Sequence, residues 1–124
     1  MSSKDVHFLF VLRNQIKLYH WQTRSYARHV ATDNVLKELD ELIDQYVEVY
    51  MGKYGRPKLS GPDAIVRLQN LSEAGATKLI RTAVNYVMGP FVKHLDKAKD
   101  TDLMNLRDEM VGHLHQLAYL FTLK

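Results

Sequence analysis

The chain has 124 residues, 46% of them hydrophobic, 25% charged and none of them cysteine. That is the length of one domain with enough apolar content for a real core, so disorder and a two-domain arrangement are excluded, as are disulfides, thiolate ligands and a thiol nucleophile. The formal net charge of +3 is interspersed with carboxylates rather than gathered in a tail or stripe, so no specific nucleic-acid binding is expected. No apolar run reaches bilayer length and no signal-peptide pattern opens the chain, which fits a cytoplasmic protein that is not a membrane protein.

A first helix is predicted from near Ser3, which can cap it, with Asp5 in its first turn. Phe8, Leu12, Ile16, Tyr19 and Thr23 recur at helical spacing and form its core stripe, with His20 at the stripe's edge. Phe10, Val11, Leu18 and Trp21 lie well off that stripe. A helix apolar on a second face is expected to bury it, here against another subunit of a homo-oligomer, either a dimer or something larger. Arg28 to Ala31 reads as a connection, with Thr32 or Asp33 capping a second helix that runs to about Lys53. Leu36, Leu39, Ile43, Tyr46, Val47 and Tyr50 make its stripe. At about 100° per residue, Asp44 and Glu48 share a face nearly opposite, looking out of their own bundle.

Residues 55 to 72 hold Gly55, Pro57, Gly61 and Pro62 and read as a crossover, with Pro62 and the following AIVRLQNL suggesting a short helix across the bundle. Ser72 and Glu73 open a third helix running towards Lys99, with Leu79, Ile80, Ala83, Val87, Phe91 and Leu95 on its buried side. Met88-Gly89-Pro90 should kink or split it. Asp100 or Thr101 caps a fourth helix whose stripe is Leu103, Leu106, Met110, Leu114, Leu117 and Phe121. The expected fold is all-α: a ferritin-like four-helix bundle, one domain over residues 1–124, with a long crossover containing a short helix between helices two and three.

Chemistry concentrates between Leu18 and Glu48, in LYHWQTRSYARHVATDNVLKELDELIDQYVE. Imidazole with carboxylate suits iron, zinc or manganese. Alone, a histidine beside a tryptophan is usually structural, and Asp44 with Glu48 is usually a solvated helix face. His20, His29, Asp33, Asp44 and Glu48 together around one turn make a candidate metal set. The Glu-x-x-His motif of di-iron bundles is absent, because Glu109 and His113 are four apart. His94 and His113 fall near core stripes and are expected to be buried, while His7 and His115 read as exposed. Glu38, Glu41 and Asp44 could cluster for magnesium in a nucleotide-pyrophosphatase-like enzyme, but the third helix offers no matching acidic pair.

YHWQT, followed by Tyr26, His29, Asp33, Asp44 and Glu48, resembles the Dps family of mini-ferritins over about residues 12 to 56. The resemblance implies an iron site shared between subunits, with His20 and His29 from one chain and Asp44 and Glu48 from its neighbour, and Asp33 as a nearer carboxylate. It implies Fe(II) oxidation catalysed at His20, His29, Asp44 and Glu48, with Trp21 close enough to pass an electron; interface packing is the alternative role for Trp21. The separation of His20 from His29 is shorter than the family's, which predicts a tighter turn, and the family's lysine-rich tail is missing. HWQT together with GKYG after the second helix also resembles a group of short proteins of large DNA viruses. Two functions follow as expectations: Dps-like iron binding with Fe(II) oxidation, or a catalytically inactive structural or interaction bundle, virus-encoded and so cytoplasmic or in the virion.

Overall fold

Three serines start three of the helices. In the computed structural model, which describes all of residues 1–124, the Ser2 hydroxyl accepts from the Asp5 amide, Ser25 from Arg28 and Ser72 from Gly75. The helices that follow are α1 (Ser3–Gln22), α2 (Tyr26–Tyr54), α3 (Glu73–Met88) and α4 (Thr101–Leu120). The remaining chain forms only single 3-10 turns at Gly61–Ala64 and Pro90–Val92. No strand is present, so the all-α expectation holds. No helix is long and apolar enough to cross a membrane.

Helix α1 packs on α2, α2 on α4, α4 on α3, and α3 closes the ring against α1. Helices α2 and α3 therefore stand at opposite corners of the bundle. They also run parallel, and the 55–72 crossover must travel the bundle's length to join them. Ferritin-like bundles use one long crossover too, but a connectivity does not carry chemistry with it. The core is filled by Leu12 and Ile16 of α1, Leu39 and Tyr46 of α2, Ile80 and Val87 of α3, and Leu103, Leu114 and Leu117 of α4, each no more than 2% exposed.

The elements differ from the sequence reading at three places. The turn between α1 and α2 is Thr23–Ser25, and Arg28 to Ala31 lie inside α2. Ser25 takes the cap because it stands next to the chain reversal. Thr32 is fully buried instead, its hydroxyl donating back to the Arg28 carbonyl at 2.7 Å. The short helix after Pro62 shrinks to the Gly61–Ala64 turn, and residues from Ile65 onward are not helical. There the Gln15 amide donates to the Gln69 carbonyl at 3.0 Å and its oxygen accepts from the Gln69 amide, holding that peptide in place of helical bonds. Helix α3 stops at Met88, split by Gly89-Pro90 rather than kinked, and the segment towards Lys99 is turns. That leaves His94 exposed, not buried.

The end of the bundle where α1 and α4 begin holds buried polar groups. Asp5, 1% exposed, accepts from the Ser2 amide at 2.9 Å and from the Tyr86 hydroxyl at 2.7 Å. Asp100 begins α4 without capping it, because its carboxylate accepts from the Tyr54 hydroxyl, the Lys53 ammonium and the Asp96 amide. The Tyr54 and Lys53 bonds, with that amide, hold the Asp100 carboxyl down at about 2. A carboxyl lowered by folding stabilises the fold fully above its ordinary value of about 3.9 and loses that contribution as pH falls towards the folded value. Asp100→Asn is therefore expected to flatten the acid limb of stability between about pH 4 and pH 2. Glu73 and Asp102 are shifted the same way and keep part of the slope. Urea unfolding at stepped pH checks this, and an unaltered limb in the variant would rule it out.

Tyr46 presents the opposite case. It is fully buried against Phe91 (ring centroids 4.8 Å apart), and its hydroxyl has no hydrogen-bond partner. Burial pushes its ionisation well up, so the hydroxyl stays neutral and unpaid for in hydrogen bonds. Tyr46→Phe should raise stability by about 1 kcal/mol, since it removes a desolvated polar atom and no bond. A measured loss would show that the hydroxyl is bonded after all.

Candidate functional site

The candidate residues divide into two groups along α2. The first is a histidine clasp across the α1–α2 joint. His20 sits in the last turn of α1 and His29 in the first turn of α2, brought together by the three-residue turn Thr23–Ser25. The His20 Nδ1–H donates to the His29 carbonyl at 2.8 Å and to the Thr32 hydroxyl at 3.0 Å. The His29 Nδ1–H donates to the His20 carbonyl at 2.8 Å. A carbonyl only accepts, so both rings are fixed with the proton on Nδ1. The rings stack at 4.0 Å with 15° between their planes. His20 is buried and His29 exposed. The tighter turn expected from the short separation is present, and it turns each histidine towards the other's backbone.

Asp33 lies one turn further along α2 and pairs with Lys37 at 3.5 Å. Asp44 and Glu48 follow about 22 Å and about 28 Å along the helix from His29. Both are exposed, as the helical spacing predicts, and neither has an ion-pair partner. They edge a cleft between α1 and α2 of about 290 Å³, floored by Leu9, Phe10, Ile43, Val47 and Met51. Arg13 crosses the cleft to Asp40, with Nε 2.8 Å from a carboxylate oxygen. Beyond the cleft, Lys17 and Trp21 continue from Phe10 along the outer face of α1, with the Lys17 ammonium 5.6 Å from the Trp21 ring centre. Trp21 is 67% exposed.

The chain thus brings His20 and His29 together but keeps both from Asp44 and Glu48. No three histidine or acidic side chains converge in a metal-binding group. Within one molecule the five candidates do not fit an iron site, and Glu38, Glu41 and Asp44 do not close into a magnesium site. The two imidazoles retain one feature of ligands: each Nδ1–H is held by a carbonyl, and neither Nε2 carries a hydrogen bond.

Sequence reasoning missed the residue that organises this end of the bundle. Arg28, read as part of a loop, reaches Glu73 of α3 at 3.0 Å, the Tyr19 hydroxyl at 3.0 Å and the Phe121 carbonyl at 3.1 Å. Its guanidinium lies over the Phe121 ring at 4.3 Å. A Ser25 cap three positions earlier is the signal that would have put it on a helix. Gln15, which holds the crossover, had a clearer one: it is a lone polar residue inside the apolar stripe of α1.

A relative from Enterobacteria phage T4, described as an uncharacterized 14.6 kDa protein in the mobD-ri intergenic region, is 50% identical over 46 residues. The matched stretch covers 36% of this chain and 36% of that protein. No solved structure matches the chain. A family described as a family of unknown function, DUF5856, matches residues 20–121, which takes in the clasp, the cleft-facing part of α2, the crossover and the two later helices. The chain belongs to the DUF5856 family.

Proposed function

We propose that this chain is a non-catalytic, virus-encoded interaction module whose α1–α2 face docks protein, in the first place other copies of itself. One observation carries the reading: an apolar cleft edged by the unpaired carboxylates Asp44 and Glu48, continued along α1 by exposed Phe10 and Trp21. Aromatic side chains left wet on a helix face cost free energy that a partner recovers, and carboxylates without ion pairs are free to set its register. The buried histidine has a structural task, closing the helix joint, and needs no ligand to account for it. The phage relative agrees with the virus-encoded part of the proposal.

Sedimentation tests this directly. The chain should run above monomer mass at micromolar concentration, and Phe10→Asp with Trp21→Asp should return it to monomer with its helical signal intact. A wild-type monomer throughout would sink the reading.

The free Nε2 edges support a second reading, an iron site completed by two chains as the Dps resemblance implies, with His20 and His29 facing a neighbour's Asp44 and Glu48. Neutral imidazoles and carboxylates form a mixed nitrogen–oxygen donor set suited to Fe(II) as substrate. Mixing His20→Ala subunits with Asp44→Ala/Glu48→Ala subunits should restore Fe(II) oxidation that neither parent shows. Absence of oxidation in the wild type would eliminate this second reading and leave the first intact.

A further inference from the structure

Charge is divided between two faces that cannot meet within one molecule. Helix α2 carries six carboxylates against three bases, whereas residues 73–99 carry five bases against two carboxylates. Internal ion pairs absorb Asp33, Asp40, Lys37 and Lys53 on or beside α2, and Glu73 at the start of α3. Glu38, Glu41, Asp44 and Glu48 remain unpaired on α2, and Lys78 and Arg81 on α3. These residues are all exposed. Since α2 and α3 occupy opposite corners of the bundle, neither set can neutralise the other.

The two faces also match in polarity. Lys78, Arg81, Asn85 and Met88 succeed one another at helical spacing and so share one face of α3, with Met88 52% exposed at its end. The α1–α2 cleft offers the converse, Asp44 and Glu48 on the edge and Phe10, Val47 and Met51 in the floor. Methionine is an unbranched, adaptable side chain that suits an irregular apolar recess.

We propose that a second copy of this chain seats its α3 face in the α1–α2 cleft, with Lys78 and Arg81 against Asp44 and Glu48 and Met88 in the apolar floor. This rests on the docking reading given above and names the occupant. Donor and acceptor are different surfaces at opposite corners, so the contact is heterologous. Each added copy presents a fresh cleft or a fresh α3 face, and growth continues as a chain or closes as a ring instead of ending at a two-fold dimer.

The test compares four full-length chains by sedimentation over a concentration series: wild type, Asp44→Lys/Glu48→Lys, Lys78→Glu/Arg81→Glu, and the chain carrying all four reversals. Each paired reversal should weaken association about tenfold or more, and the fourfold chain should recover most of it because the charges again complement. An equimolar mixture of the two paired variants should associate more tightly than either variant does alone. Circular dichroism monitors folding, and Asp44→Asn/Glu48→Gln with Lys78→Gln/Arg81→Gln replace any reversal that unfolds. If the cleft variants and Phe10→Asp dissociate the assembly while the α3 variants leave it unchanged, the cleft docks another surface: this proposal falls and the docking reading stands. If wild type is a monomer at every concentration, both fall.

Discussion

Replacing Arg28 with alanine should lower the stability of the bundle by about 3 kcal/mol, because it removes a side chain that bonds to three other elements and leaves their polar groups without a donor. The guanidinium offers five N–H groups. Nε–H faces Glu73 at 3.0 Å, one terminal nitrogen donates to the Tyr19 hydroxyl and the Glu73 carbonyl, and the other to the Phe121 carbonyl and the Thr77 hydroxyl. The Arg28 side chain is 13% exposed, but that of Glu73 is 52% exposed, so solvent screens the ion pair and it contributes the smaller part. The larger part is the set of bonds joining α1, α3 and the end of α4 to the first turn of α2, with the Phe121 ring beneath. Arg28→Lys keeps the charge but not the planar fork, and should recover less than half of the loss. Urea unfolding at neutral pH measures both variants. A loss below about 1 kcal/mol for Arg28→Ala would mean that water takes over these bonds at no cost.

Arg28 also marks where the sequence stops being informative. The apolar stripes identify the four helices and most of the core, because periodic burial leaves its trace residue by residue: Leu39, Ile43 and Tyr46 on α2, and the whole Leu103 to Phe121 series of α4, are buried as their spacing predicts. The outward direction of Asp44 and Glu48 follows from the same arithmetic. The α1–α2 boundary does not, since Ser25, Thr32 and Asp33 are all acceptable caps and the choice depends on where the chain must reverse. The Ile65–Leu71 segment has a helix-compatible pattern that side chains of α1 override: Gln15 on the Gln69 backbone across 54 positions of sequence, with His7 on the Ile65 carbonyl and Gln22 on Asn70. The candidate site was legible as a set of residue types and not as an arrangement. Short spacing brings two histidines into contact, but whether they face each other's backbone or a common ligand depends on the turn between them.

That distinction can be decided on His20. His20→Ala should cost about 2 kcal/mol, from the lost shared Nδ1–H bond to the His29 carbonyl and Thr32 hydroxyl, the lost ring stacking, and the space left by a side chain only 7% exposed. His29→Ala should cost about half as much, because its exposed ring gives up one bond and the same stacking but leaves little void. The two losses should not add: the shared stacking disappears with either ring, and a double-mutant cycle should return a coupling of about 1 kcal/mol. A clasp between backbone carbonyls owes nothing to metal, so all of these values should be the same with chelator present and with Fe(II) supplied under anaerobic conditions. Stabilisation of the wild type by Fe(II) that vanishes in His20→Ala and in Asp44→Ala/Glu48→Ala alike would instead assign the rings to a shared metal site. An unchanged stability in His20→Ala would mean that the joint is held by Arg28 and the Ser25 cap alone.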